Sequence, residues 1–366
     1  MTIQTYAGTM TPRERVLRAI HHERADRVPI DFMPNMGIYQ RLVKALGLPG
    51  DYESTLEALG VDIRWIINYE YTGPRLFADR PGRMVDPIYG HVMKWTAHAD
   101  GGYWDYCDFP LLNASPEEIA AFPVPDPDLF NYEVILAQIK AFSQKGYAVY
   151  IGNAGFGDII NCTGRVMGME DTLMNLMDEE EATLSYIDRR NGMEMGVLER
   201  ILDKAAEDVT FVSMGEDLGT QRGPMIGMDL YKSVLRPRHQ RMVDVAKHYG
   251  KPVMIHSCGS SSWAFEDFID MGISIVDTLQ PEASRMEPAY LKEAYGGRLC
   301  FHGCISTAGP LAYGTAGEVE KNVRETLEIM KPGGGYMLSP THQIQDNSPV
   351  ENVIAMYNAA HKYGVY

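Results

Sequence analysis

Long apolar runs are missing from this 366-residue chain, and with them any candidate for a membrane-spanning helix. Met1 to Arg15 lacks the basic and apolar regions of a secretory signal, so a cytoplasmic protein is expected. Positive charge is in short supply. Against 33 Lys and Arg stand 49 Asp and Glu, and the net charge of −16 disfavours nucleic acid and anionic membrane as partners. The cysteines are few (Cys107, Cys162, Cys258, Cys300, Cys304), odd in number and without a paired framework, which points to free thiols rather than disulfides. No internal repeat or low-complexity segment is present. What is there is 45% hydrophobic, enough to bury a full core, but composition says nothing about chemistry.

Order emerges from alternation along the chain. Thr11-Pro12-Arg13-Glu14 carries the cap, the first-position proline and the acidic third residue of a helix start, and the helix should run to about His22. Arg27 to Phe32 reads as a first short strand and Val61 to Ile67 as a second. Further apolar strands end at Gly152, Gly215, His256, Asp277, Gly303 and Leu338, with amphipathic stretches between them. Eight such units predict a parallel sheet closed as an α/β (β/α)8 TIM barrel, one domain over residues 1–366. From Tyr69 to about Phe130 the pattern gives way to Gly, Pro, Asp and aromatics. A hairpin is expected there at Asp86–Trp95, and loops around Pro116-Glu117-Glu118. An irregular stretch this long predicts an insertion after the second strand, residues 69–130, lying as a lid over the barrel mouth.

Barrels of this kind keep their chemistry at the carboxyl ends of the strands, and those ends are polar here. The fourth leads into Glu216, Asp217 and Gln221, the fifth into His256 and Cys258, and the sixth into Asp277 and Gln280. The seventh ends at His302 and Cys304, and the eighth leads to His342. Residues two apart share one face of a strand, so His256 and Cys258 would offer an imidazole nitrogen and a thiolate on the same side, both zinc ligands. His302 and Cys304 repeat that spacing, and spacing alone does not choose between the pairs. Asp217 and Glu216 read as a metal-linked base, a substrate anchor or an orienter of histidine, against the plainer reading of a helix cap. Cys107, Cys162 and Cys300 read as core.

Several segments resemble the uroporphyrinogen decarboxylase superfamily. They are Glu216-Asp217-Leu218-Gly219-Thr220-Gln221, His256-Ser257-Cys258-Gly259, Gly303-Cys304-Ile305-Ser306, and Ser339-Pro340-Thr341-His342-Gln343-Ile344 on to Asn352. Pro12-Arg13-Glu14-Arg15 and Asp26-Arg27-Val28-Pro29 join them. Within the superfamily they are similar to the branch of zinc enzymes that exchange methyl groups with corrinoid proteins. The resemblance covers nearly the whole chain and implies the same barrel and, by analogy, a homodimer. It implies zinc on His256, Cys258 and His342, the last where that branch carries a distant cysteine. A His-Cys-His set is less negative than a His-Cys-Cys set, hence a stronger Lewis acid suited to a donor oxygen rather than a thiol. The arginine-rich stretch by which decarboxylases grip porphyrin carboxylates is replaced by Asp31-Phe32-Met33-Pro34-Asn35-Met36-Gly37, without arginine.

The resemblance therefore implies a corrinoid-dependent methyltransferase. It would move a methyl group from a small donor, a methoxylated aromatic above others, to the Co(I) corrinoid of a partner protein. Asp217 and Glu216 would be catalytic, and Gln221, Gln280, Tyr69, Tyr71, Tyr103 and Trp104 would bind substrate. Methanol or methylamine as donor, and transfer from methylcorrinoid to a thiol or tetrahydrofolate, are variants of that reading. The alternatives are a metal-free decarboxylase of a small aromatic or tetrapyrrole acid, using His342 and Asp217, and a non-catalytic corrinoid-binding barrel. The dense polar rim speaks against the last.

Overall fold

Each parallel strand presents one face to the barrel interior and the other to a surrounding helix, so both faces are apolar over most of its length. The computed structural model describes residues 2–6, 8–67, 69–98 and 101–366. In chain order its strands are β1 (Ile63–Ile66), β2 (Glu70–Tyr71), β3 (Met84–Val85), β4 (Val92–His98), β5 (Gly101–Tyr106) and β6 (Phe130–Asn131). There follow β7 (Ala148–Gly152), β8 (Phe211–Gly215), β9 (Val253–His256), β10 (Ile275–Thr278), β11 (Cys300–Ile305) and β12 (Tyr336–Pro340). One sheet runs β1-β7-β8-β9-β10-β11-β12, all neighbours parallel.

The edges of that sheet are joined by Pro29–Asp31. Asp31 N–H donates to the Leu338 carbonyl (2.9 Å) and Leu338 N–H to the Pro29 carbonyl (2.8 Å), while Asp62 N–H donates to the Ile30 carbonyl (2.9 Å). The expected first strand is thus a short stave held by bridges, and with it the α/β sheet closes as the predicted barrel. Inside lie Ile63, Ala148, Tyr150, Phe211, Met254, Ile275, Cys300 and Met337, plugged by Val16, Ala19 and Ile20 of the helix Pro12–Ile20. That helix begins with the expected capping box, Thr11 and Glu14 satisfying each other's backbone N–H groups.

Ion pairs fasten the plug. Arg15 Nε lies 2.7 Å from Asp26 and its Nη1 2.5 Å from Asp62, while Arg27 Nη1 lies 2.7 Å from Asp62; both arginines and Asp62 are buried and Asp26 is half-buried. Burial alone would raise the Asp26 carboxyl, but the Arg15 guanidinium and the N–H groups of Met10 and Thr9 hold it well below the usual carboxylate range.

The stretch after β1 is more ordered than its composition suggests. β2 and β6 pair antiparallel, Tyr71 opposite Phe130, so the excursion leaves and returns at one place. β3, β4 and β5 form a separate antiparallel sheet. The expected hairpin at Asp86–Trp95 supplies the turn between β3 and β4, but the longer ribbon is β4 with β5, Trp95 opposite Trp104. Pro116-Glu117-Glu118 is not a loop. With Ser115 as cap and Glu118 returning the bond, Pro116–Ala121 is a helix, a capping box that the local prolines obscure. Leu111 N–H donates to the Val166 carbonyl (2.7 Å), and the rings of Phe77, Phe122 and Tyr186 pack in series, tilted and then edge-on, onto the long helix Glu181–Ala205. Among the described residues no helix is long and apolar enough to cross a membrane.

Removing one partner of a buried charge network leaves the others unpaired. Asp26→Asn is expected to cost about 3 kcal/mol, read as a lower urea midpoint. Because the folded value of Asp26 lies below its ordinary 3.8, its contribution is present above that pH and lost as pH falls through the folded value. The variant should therefore show a flatter acid limb of stability than the parent protein.

Candidate metal centre

Strand alternation sets an apolar residue at the base of the barrel and, two positions on, a polar one at its carboxyl rim. The pairs are Phe211 and Ser213, Met254 and His256, Ile275 and Asp277, Cys300 and His302, and Met337 and Ser339. Register brings three of the rim residues level: His256 on β9 pairs with Asp277 on β10, and Asp277 with His302 on β11.

Asp277 binds both rings. Its Oδ2 lies 2.6 Å from Nδ1 of His256 and its Oδ1 2.6 Å from Nδ1 of His302. Burial would raise this carboxyl, but the two imidazoles hold it well below the usual range. Burial would lower His302, yet Asp277, with Asp31 Oδ2 3.2 Å from its Nε2, lifts it to about 10. Thr278 Oγ1 also lies 2.8 Å from Nδ1 of His256. Its backbone sits at φ 90, a conformation that β-branched residues rarely adopt.

With Nδ1 committed to Asp277, the face of His256 left open is Nε2. It lies 3.4 Å from Cys258 Sγ and 3.9 Å from Asp217 Oδ1. Ligand atoms of Asp217, His256 and Cys258 all lie within 4.8 Å of one another. Tetrahedral zinc, with bonds of roughly 2.0–2.3 Å, sets its ligand atoms roughly 3.3–3.6 Å apart, so the His256–Cys258 pair already has zinc spacing and the Asp217 carboxylate would close towards it. The aspartate behind His256 is the arrangement that fixes a metal-binding imidazole in one tautomer.

Two loops bring these side chains together. Cys258 N–H donates to Asp217 Oδ1 (2.8 Å) and Asn161 Nδ2 to Asp217 Oδ2 (2.9 Å). Ser260 N–H donates to the Thr220 carbonyl (2.8 Å). Backbone meets backbone so closely that a Cβ on Gly259, at φ 72, would stand 2.3 Å from the Gly219 oxygen. Gln280 Oε1 accepts from Gly259 N–H (2.7 Å) and lies 3.3 Å from Gln221 Nε2, so both expected substrate-binding glutamines meet at the cysteine loop.

Other expected site residues are placed differently. Glu216 turns away from Asp217, as neighbours in an extended segment do. It is buried, accepting from Ile159 N–H (2.7 Å) and Ile160 N–H (3.0 Å) and lying 3.0 Å from His239 Nε2. Burial pushes it up to about 8 and His239 down to about 4. His342 is on the same rim but outside the close group, with Nδ1 3.4 Å from Gln345 Nε2. Its own burial, with the charge of His256, lowers it. Tyr69 and Tyr71 pack on Phe130, while Tyr103 and Trp104 are exposed on the β4–β5 ribbon.

The second His-x-Cys pair separates because its strand is irregular. Gly303 at φ 125 and Cys304 at φ 69 turn the backbone, leaving His302 beside Asp277 and sending Cys304 into the core outside the barrel interior. All five cysteines are free thiols; Cys162 and Cys300 are buried as expected, Cys107 half-buried. Asp277, Thr278 and Asn161 were not assigned roles from the sequence. A signal for Asp277 existed: aligning the strands from their last apolar residues puts it level with His256.

A search of curated proteins finds no match. Among solved structures, a methyltransferase from Methanosarcina mazei superposes with a TM-score of 0.68 over 97% of this chain and 99% of its own, at 16% identity. That likeness is one of fold. A xylose isomerase domain containing protein from Salmonella typhimurium covers 61% of this chain and 78% of its own at 13% identity, and its TM-score of 0.32 carries no argument. The family profile described as uroporphyrinogen decarboxylase (URO-D) matches residues 110–363, every close-group residue among them. With more than half of its length matched, the chain belongs to the uroporphyrinogen decarboxylase family.

Proposed function

We propose that this protein is a methyltransferase of the family, with zinc bound by His256, Cys258 and Asp217 and with a Co(I) corrinoid, carried by a partner protein, as methyl acceptor. The observation that carries the reading is the close group itself: one nitrogen, one sulfur and one carboxylate oxygen converge at a barrel rim, with a buried aspartate behind the histidine. The Methanosarcina mazei methyltransferase of the same fold supports it by analogy. Zinc at this site supplies Lewis acidity to the oxygen of the methyl donor, a methoxylated aromatic in the reading favoured here.

The protein's own residues do the rest. Asp277 holds the proton on Nδ1 of His256 and so keeps Nε2 free for the metal. Asp217 serves twice, as the third ligand and as the acceptor that anchors the Cys258 backbone. His342, the third ligand that the family resemblance implied, lies near enough to His256 and Asp217 to feel their charges and is left to meet substrate. Tyr69 and Tyr71 offer ring surface to an aryl group. A metal-free decarboxylase is the second reading, favoured by the reaction for which the family is named. Asp31 and the other residues that open the 31–37 stretch bring carboxylate and apolar groups, not the cations a poly-acid would require.

Elemental analysis separates these readings. About one zinc per chain is expected, lost in Cys258→Ser and in Asp217→Ala but retained in His342→Ala. Retention in Asp217→Ala with loss in His342→Ala would restore the His-Cys-His set, and no zinc in any form would leave the decarboxylase. Asp277→Asn should keep the fold and weaken zinc affinity by about 10- to 100-fold, measured by competition with a chelator. Gly259→Ala should displace the Cys258 loop from Gly219. It should lower both zinc content and melting temperature, since backbone rather than a mobile side chain stands in the way.

A further inference from the structure

Beside the metal centre, one cavity of about 150 Å3 shares Tyr69 with the methyltransferase reading but gathers charged groups that this reading does not use. Tyr69, Tyr89 and His91 of the 69–130 stretch line one side. Arg165 of the helix Ile160–Met167 and Arg190 and Glu194 of the helix Glu181–Ala205 line the other.

Arg190 is the unusual member. Only 5% of it is exposed, yet its Nε and Nη1 have no hydrogen-bond partner. Its Nη2 is occupied, donating to the Asp158 carbonyl and to Asn191 Oδ1. Buried N–H groups on a full positive charge are costly to leave unmet. Arg165 is little better served, with Nη1 3.5 Å from the Cys162 sulfur and its guanidinium 5.3 Å from the Tyr106 ring centre.

The acids close by do not answer these donors. Glu194 accepts from Gly157 N–H (2.8 Å), and Asp158 Oδ1 accepts from Asn161 N–H (2.8 Å) and Cys162 N–H (3.3 Å). Burial pushes both carboxyls up, towards the neutral form. Burial, with the charges of Arg165 and Arg190 adding to it, brings His91 down to about 4, so it adds no charge at neutral pH. Neither carboxyl is hydrogen-bonded to Arg165 or Arg190, so both guanidinium groups lack a carboxylate partner at the cavity wall. Tyr69 and Tyr89 stand at the cavity wall, where either hydroxyl can turn a donor inward.

We propose that this cavity binds a small monocarboxylate, of a size between acetate and benzoate, whose oxygens accept from Arg165 and, once the Arg190 guanidinium turns towards the cavity, from its Nε or Nη1, while the rings of Tyr69 and Tyr89 cover it. A volume of about 150 Å3 holds a benzene ring, so the ring of benzoate, with its carboxylate directed at the guanidinium groups in the wall, sets the upper size. Charge-assisted bonds from guanidinium to carboxylate are about twice as strong as neutral ones, which gives the acid its advantage over its amide. The site does not depend on the metal. It adjoins the metal centre, because Asn161, which holds Asp217, is the chain neighbour of Cys162, whose sulfur faces Arg165.

The test is titration calorimetry of the whole protein with benzoate, acetate and benzamide at fixed ionic strength. One benzoate or acetate per chain is expected, bound at least tenfold more tightly than benzamide and weakened at least tenfold in Arg190→Gln. If Arg190→Gln fails to fold, Arg165→Gln, at a half-buried position, takes its place with a severalfold loss expected, and Tyr89→Phe should weaken binding less. Binding of neither acid, equal binding of benzamide, or unchanged binding in the folded arginine variant would overturn the proposal.

Discussion

Asp277 is shared between two rings, one oxygen 2.6 Å from His256 and the other 2.6 Å from His302, and a buried carboxylate tied on both sides cannot shift without moving both. The rim of the barrel depends on that tie. It decides which nitrogen of His256 faces Cys258 and Asp217, and it keeps a positive charge on His302 where burial would otherwise remove it. The apolar layer below, from Phe211 round to Met337, denies these groups water and leaves them only each other. On an open sheet a row of three ionisable residues would be solvated by water. Buried in a closed barrel it must pair internally, and so becomes a fixed frame for the close group of Asp217, His256 and Cys258.

How much of this was legible in the sequence follows from how regular each strand is. His256 and Cys258 could be read as a pair because β9 is regular up to His256 and the loop beyond is pinned by Asp217 and Gln280. The same spacing in β11 carried no such meaning, since Gly303 and Cys304 take positive φ and break the period. Glu216 and Asp217 are adjacent, so one of them had to face away; only the register of β8 against β9 tells which. Asp277 was visible as a polar strand end, but its role rests on pairing with two histidines at separations of 21 and 25 residues, which no local pattern contains. The barrel itself was legible throughout, and its weakest strand was a stave of three residues.

Motifs that signal kinship need not signal chemistry. Pro12-Arg13-Glu14-Arg15 and Asp26-Arg27-Val28-Pro29 resemble the family as clearly as the rim loops do, yet their charged residues are spent on architecture. Arg15 and Arg27 clasp Asp26 and Asp62 beneath the barrel, joining the plug helix, the closing stave and the start of β1. The rim motifs differ in one respect that the fold makes plain: their polar atoms point at one another across a space, not into the body of the protein.

The β2–β6 ribbon has a consequence for how such a protein can change. Because Tyr71 sits opposite Phe130, some sixty residues of chain begin and end within one strand spacing, clamped by two residue pairs before the helix Glu133–Gln144 resumes the barrel. The loop-closure entropy of what lies beyond that clamp grows only slowly with length. The segment can therefore be lengthened, trimmed or exchanged in the course of evolution while the strands that carry the ligands stay where they are. Tyr89 and His91 would change with such an exchange, and Tyr69, Asp217, His256 and Cys258 would not. The fold thus lets the 72–129 segment and the barrel rim evolve at different rates.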